Sequence, residues 1–209
     1  MKKLFLLSIL FIFNYSVFGQ SSTSSDTIFK KNTGLHFVAK LGFGRIWESG
    51  KGPLNGFIGG VDAIYSIKLK TTYLQTGLGY LAIDANRTEN GNTAAITNEY
   101  LQIPLIWKSY KTIFDDQSKK QRLQSVTGVG LYANTLLNQK KEAITGNSSA
   151  IYLGWNYGYT FQLGLKYAVS DKWDIETGWQ FQGDLSKMKK NGIERKTDYI
   201  NAFYFDFKF

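Results

Sequence analysis

From about residue 34 onward, large apolar side chains alternate with small or polar ones in segments that run for a dozen residues or more. The clearest places Trp155, Tyr157, Tyr159, Phe161, Leu163, Leu165 and Tyr167 on one face, and Asn156, Gly158, Thr160, Gln162, Gly164 and Lys166 on the other. Strand side chains point alternately to opposite sides, so this segment has one apolar wall and one polar wall. The next opposes Trp173, Ile175, Thr177, Trp179 and Phe181 to Asp174, Glu176, Gly178, Gln180 and Gln182; the last opposes Phe203, Phe205, Phe207 and Phe209 to Ala202, Tyr204, Asp206 and Lys208. Noisier alternation over 35–46, 56–68, 71–83, 98–109 and 123–137 brings the total to eight strands, an even number.

The fold class this predicts is all-β, an eight-stranded antiparallel up-and-down transmembrane barrel. Residue volume decides which face looks outward. Eight strands enclose a lumen just wide enough for side chains to fill. The apolar faces carry Trp107, Trp155, Trp173 and Trp179 with many Tyr and Phe, too bulky for that space, whereas the polar faces are rich in glycine (Gly42, Gly60, Gly77, Gly128, Gly164). The apolar wall therefore faces lipid, and no Asp, Glu, Lys or Arg interrupts its middle, where a cation costs about 2–4 kcal/mol. A soluble sandwich fits less well, because its strands run to about 5–6 residues.

Lys2 and Lys3 precede an apolar run from Leu4 to Phe13 with a small residue at Gly19, the plan of a cleaved signal peptide. The expected organisation is a signal peptide over 1–19, a short periplasmic N-terminal tail over 20–33, and the outer-membrane barrel over 34–209. Short links after the second and sixth strands become periplasmic turns. Trp47–Asn55, Asp84–Thr97, Asn138–Ala150 and Asp184–Thr197 become external loops, and Tyr110–Arg122 is a long charged connection on the periplasmic side. Trp155 at one end and Tyr167 with Trp173 at the other mark aromatic belts.

With Lys2 and Lys3 removed, the formal charge of +9 falls to +7. Export makes nucleic acid an implausible partner. The external basic residues Lys140, Lys141, Lys187, Lys189, Lys190, Arg195 and Lys196 point instead to anions outside the cell, the phosphates and acidic sugars of lipopolysaccharide, or to a protein partner.

Chemistry is sparse. The single histidine, His36, lies on the polar face of the first strand, within conceivable reach of Ser66 or Asp62, the arrangement that an outer-membrane lipid-modifying enzyme of deacylase type would use. Spacing marks no nucleophile, and a structural role is the expectation: no catalytic residue, no metal, no cofactor. Asp174 and Glu176 share their face with lysines and read as neutralised packing. A narrow channel is the other rival, against which stands a lumen plugged by side chains.

The run Glu99-Tyr-Leu-Gln-Ile-Pro-Leu105 resembles a strand motif of the small outer-membrane β-barrel proteins of Bacteroidota, the PorT-like group, and Leu163-Gly-Leu-Lys-Tyr167 followed by Ser170-Asp-Lys-Trp173 is similar to that group's strand, turn and strand. Phe209 resembles the terminal assembly signal read by the barrel-insertion machinery. Asp26-Thr27-Ile28 resembles the O-glycosylation site of Bacteroidota, with Thr27 as acceptor. The resemblance implies residence in the bacterial outer membrane and a structural or accessory task in the envelope or in secretion. Pro104 lacks a ladder donor, and its place in the motif predicts a bulge or a missing bond.

Overall fold

The computed structural model describes residues 33–89, 92–113, 123–143, 146–147, 154–169, 173–190 and 192–208. Residues 1–19, expected as a signal peptide, nearly all of the expected tail with Thr27, most of the Tyr110–Arg122 connection, and Phe209 lie outside the described residues.

Among the described residues ten strands follow one another: β1 (Gly34–Glu48), β2 (Gly52–Leu69), β3 (Thr72–Glu89), β4 (Asn92–Thr112), β5 (Leu123–Ala143), β6 (Gly146–Asn147), β7 (Trp155–Ala168), β8 (Asp174–Asp184), β9 (Met188–Lys190) and β10 (Ile193–Lys208). Eight of them form the wall, each antiparallel to its neighbour, and β10 pairs with β1 to close the ring. β6 and β9 are short additions on β5 and β10. Following cross-strand partners from Gly34 through Ser66, Gln75, Ile106, Gly130, Thr160, Gln182 and Ile200 returns to β1 at Gly44, a stagger of about ten residues. Such a stagger accompanies the strand tilt that closure requires.

The inside-out arrangement is as the volume argument predicts. Trp107 is 52 % exposed while its neighbour Lys108 is 1 % exposed. Leu35, Phe37, Leu41 and Phe43 on β1 and Phe203, Phe205 and Phe207 on β10 all face outward, while His36, Lys40, Asp206 and Lys208 face the lumen. An antiparallel barrel with an apolar outer band and a polar interior is built to cross an outer membrane, and that is where this chain resides. Glycine makes room inside: a Cβ on Gly164 would stand 2.5 Å from the Tyr204 hydroxyl, and one on Gly158 would stand 2.3 Å from Tyr132 Cζ. Pro104 coincides with an interruption in the β3–β4 ladder, whose partners pass from Thr76–Leu105 directly to Gly79–Gln102.

Two features depart from the sequence reading. The segments expected as external loops are largely paired strand: β1–β2 pairing runs to Glu48–Gly52, β3–β4 to Glu89–Asn92, and β4–β5 to Ala95–Glu142. Beyond the bilayer the outward face meets water, so backbone pairing continues where the outer apolar signal stops, while Leu54, Ala85 and Ile96 stay buried on the inner face. The lumen also contains an apolar layer of Ile46, Ile58, Leu81, Leu136, Met188 and Ile200 among its buried residues.

Candidate functional site: a luminal ion-pair cluster

With the tight turn between β2 and β3 set on the periplasmic side, where outer-membrane barrels place their short turns, the periplasmic half of the lumen gathers most of the interior charge among the described residues. Inward positions of four adjacent strands contribute Gln75 from β3, Ser66 from β2, His36 from β1 and Asp206 from β10. His36 Nδ1 lies 2.6 Å from Asp206 Oδ1, and His36 Nε2 lies 2.7 Å from Ser66 Oγ. The Gln75 amide donates to Ser66 Oγ at 2.8 Å. One assignment runs consistently along the row: Gln75 donates to Ser66, the Ser66 hydroxyl donates to Nε2, and Nδ1–H donates to Asp206 Oδ1.

Around this row the charges pair off. Glu176 accepts from Lys108 at 2.6 Å and from Lys208 at 2.8 Å, and the Tyr204 and Tyr110 hydroxyls each donate to it at 3.0 Å. Lys40 meets Asp62 at 2.5 Å and Lys166 meets Asp174 at 2.8 Å. The cations Lys40, Lys108, Lys166 and Lys208 thus match the carboxylates Asp62, Asp174, Glu176 and Asp206, a balance that a neutral His36 preserves. Burying unmatched charge costs several kcal/mol per ion, which is why these side chains occur together.

The order Ser66–His36–Asp206 is that of a base-activated nucleophile. Its setting argues for structure instead. Ser66, His36 and Asp206 are at most 2 % exposed, and an acyl carbon would have to come within about 3–3.5 Å of the hydroxyl to react. The sequence reading offered Asp62 as the acidic partner of His36; Asp62 is held by Lys40, and Asp206 takes that place. Nothing in the local spacing signals this partner, because it lies on the last strand and reaches His36 only through closure of the ring.

The opposite, external rim holds Lys140, Lys187, Lys189 and Lys196 of the basic residues singled out from sequence. Lys187 and Lys189 both reach Glu194, at 2.8 and 3.1 Å, and Lys187 also lies 4.7 Å from the centre of the Trp47 ring. These two ammonium groups hold the Glu194 carboxyl below its ordinary pKa. Lys196 pairs with Asp198 at 2.8 Å and Lys140 with Glu99 at 2.7 Å. Arg195 departs from expectation: it is 3 % exposed, turned into the lumen, bonded to Glu48 and, at 2.9 Å, to Asn98. Strand periodicity places it inward beside Thr197, which a loop assignment overlooks. Lys141 and Lys190 lie on β5 and β9, with side chains outside the described residues.

No protein-family model matches the chain, and no curated protein matches its sequence. Among solved structures, Neisserial surface protein A aligns over 85 % of this chain and 98 % of its own, with a TM-score of 0.51 and 17 % identity. OprG, an outer membrane protein from Pseudomonas aeruginosa, aligns over 86 % of this chain and 98 % of its own, with a TM-score of 0.44 and 12 % identity. The attachment invasion locus protein Ail of Yersinia pestis gives 83 % and 99 %, a TM-score of 0.30 and 12 % identity. The likeness to Neisserial surface protein A is one of fold, that of the small eight-stranded outer-membrane barrels.

Proposed function

We propose that this protein is a non-enzymatic structural or accessory component of the envelope, kin to the PorT-like barrels of Bacteroidota, whose working surface is its external rim. That rim binds the anionic groups of lipopolysaccharide or an acidic protein partner. The observation that carries the reading is the set of exposed ammonium groups there. The side chains of Lys51, Lys140, Lys187 and Lys189 are 51, 62, 46 and 69 % exposed, and Lys187 and Lys189 share a single carboxylate. Exposed pairs of this kind contribute little to stability, so exchanging Glu194 for a phosphate costs little.

Titration of purified protein with lipopolysaccharide tests this. Binding should weaken with added salt and fall sharply in a chain carrying Lys187→Glu, Lys189→Glu and Lys196→Glu. Unchanged binding by that variant contradicts the assignment.

A lipid-modifying activity is the second reading, favoured by the Ser66–His36–Asp206 geometry. His36→Ala should then remove a lipid A product from native membranes; unchanged lipid A with a less stable barrel supports the structural reading.

A further inference from the structure

Between the ionic cluster and the apolar layer lies a third zone, lined by uncharged polar side chains from β4, β5, β7 and β8. Gln102 faces Asn134, Thr160 faces Gln182, and Gln162 faces Gln180 as direct cross-strand partners. All six are at most 3 % exposed. Gln162 donates to Gln180 at 2.9 Å, yet several polar atoms of the zone have no protein partner: the amide nitrogens of Gln102, Gln180 and Gln182, the amide oxygens of Asn134, Gln162 and Gln182, and the Thr160 hydroxyl. Buried polar groups without partners are costly, and native proteins satisfy them with protein or internal water. Donors and acceptors occur together here and none is charged. The chemistry therefore fits a neutral molecule able to donate and accept, rather than an ion.

The zone is closed on both sides. Toward the periplasm stand Lys108, Glu176 and Lys208 with their tyrosines. Toward the outside stands the apolar layer, and one of its members differs from the others: Met188 comes from the three-residue β9 and not from the wall. Its side chain is fully buried, whereas its neighbours Lys187 and Lys189 extend into solvent. The fastenings of its hairpin are few: a three-residue ladder to β10 in which Met188 pairs with Arg195, the Leu185 and Ser186 amides on the Tyr157 carbonyl, the Ser186 hydroxyl on the Tyr157 amide at 2.8 Å, and Lys187 and Lys189 on Glu194. An apolar constriction blocks polar traffic by excluding water from its bore.

We propose that the amide zone is a hydrated chamber for water and small neutral hydrogen-bonding molecules, and that Met188 is the stopper separating it from the outside. The wall residues of the apolar layer cannot withdraw without opening the barrel; Met188 can, by release of the three-residue ladder that joins β9 to β10.

The chain contains no cysteine, so single thiols report access without background. Thr160→Cys places one in the chamber. Methyl methanethiosulfonate, small and neutral, is applied to the full chain in lipid vesicles, folding is confirmed by heat-modifiable migration, and adducts are read by mass spectrometry. With Met188 present the thiol should stay unlabelled. With Met188→Gly it should label to completion, and with Met188→Leu it should be protected again. Equal labelling in all three folded backgrounds, whether complete or nil, overturns the proposal: complete labelling means Met188 closes nothing, and none means that no chamber lies behind it. If Met188→Gly does not fold, Met188→Ala is read by the same criterion.

Discussion

His36 Nδ1 stands 2.6 Å from Asp206 Oδ1, and this contact joins the first strand to the last across the seam that closes the ring. Two residues 170 positions apart meet only when the barrel is complete, so the contact belongs to the closed state alone. Asp206→Asn removes the charge that orients the ring, and His36→Ala leaves the Ser66 hydroxyl proton without its acceptor and Asp206 Oδ1 without its donor. Each should lower stability by about 1–3 kcal/mol, and the double variant should cost less than the sum of the two. Urea unfolding in detergent, followed by tryptophan fluorescence, measures all three. Full stability in both single variants would show that the row of hydrogen bonds does not fasten the seam.

Glu176 is the hub of the ionic cluster, accepting from two lysines and two tyrosines. Glu176→Gln leaves Lys108 and Lys208 buried with too little negative charge and should destabilise the barrel by about 3–5 kcal/mol. Adding Lys108→Met should recover part of that loss, because one unmatched cation goes with it. The same unfolding experiment reads both; no recovery contradicts the charge-matching account.

At the external rim, Lys187 and then Lys189 depress the Glu194 pKa below its ordinary value. A depressed carboxylate contributes above its unfolded pKa and loses that contribution as pH falls through the folded value. The hairpin contact should therefore persist through neutral and mildly acidic solution and release only below the usual carboxylate range. The indole NMR signal of Trp47, which lies against Lys187, should titrate in that acid range and stop titrating in Glu194→Gln. A midpoint at or above the ordinary carboxylate value contradicts the pairing.

Lys70, in the turn between β2 and β3, has a φ of 52°, a left-handed conformation that costs a residue with a Cβ about 1 kcal/mol. Lys70→Gly relieves it and should raise the unfolding midpoint slightly, against the usual direction of glycine substitutions. A lowered midpoint means that the turn is not strained there.

How much of this was legible from sequence depended on what each feature answers to. The lipid wall was fully legible, because the bilayer demands an apolar residue at every second position from Trp155 to Tyr167. The external ends of β3 and β4 were not: past Asp84 the outward residues are polar, the two faces look alike, and only backbone pairing distinguishes strand from loop. The apolar layer was hidden for the opposite reason. Around Leu78, Tyr80, Leu81 and Ile83, apolar residues occupy both faces, and the alternation that signals a strand is blurred where its inner side is also apolar. Partners in the ionic cluster were legible as a class, with Asp174 and Glu176 read as neutralised by lysines. Which lysine meets which carboxylate depends on the stagger of about ten residues around the ring, and no single strand encodes it.

The central claim is that the apolar face of each wall strand meets lipid while the polar face fills the lumen. Single nitroxide labels placed in turn from 156 to 166 on β7, in liposomes, test it most directly through their collision rate with lipid-dissolved oxygen. The rate should alternate with a period of two, high at 157, 159, 161, 163 and 165 and low at the positions between. An alternation of opposite phase, or none, contradicts the inside-out barrel.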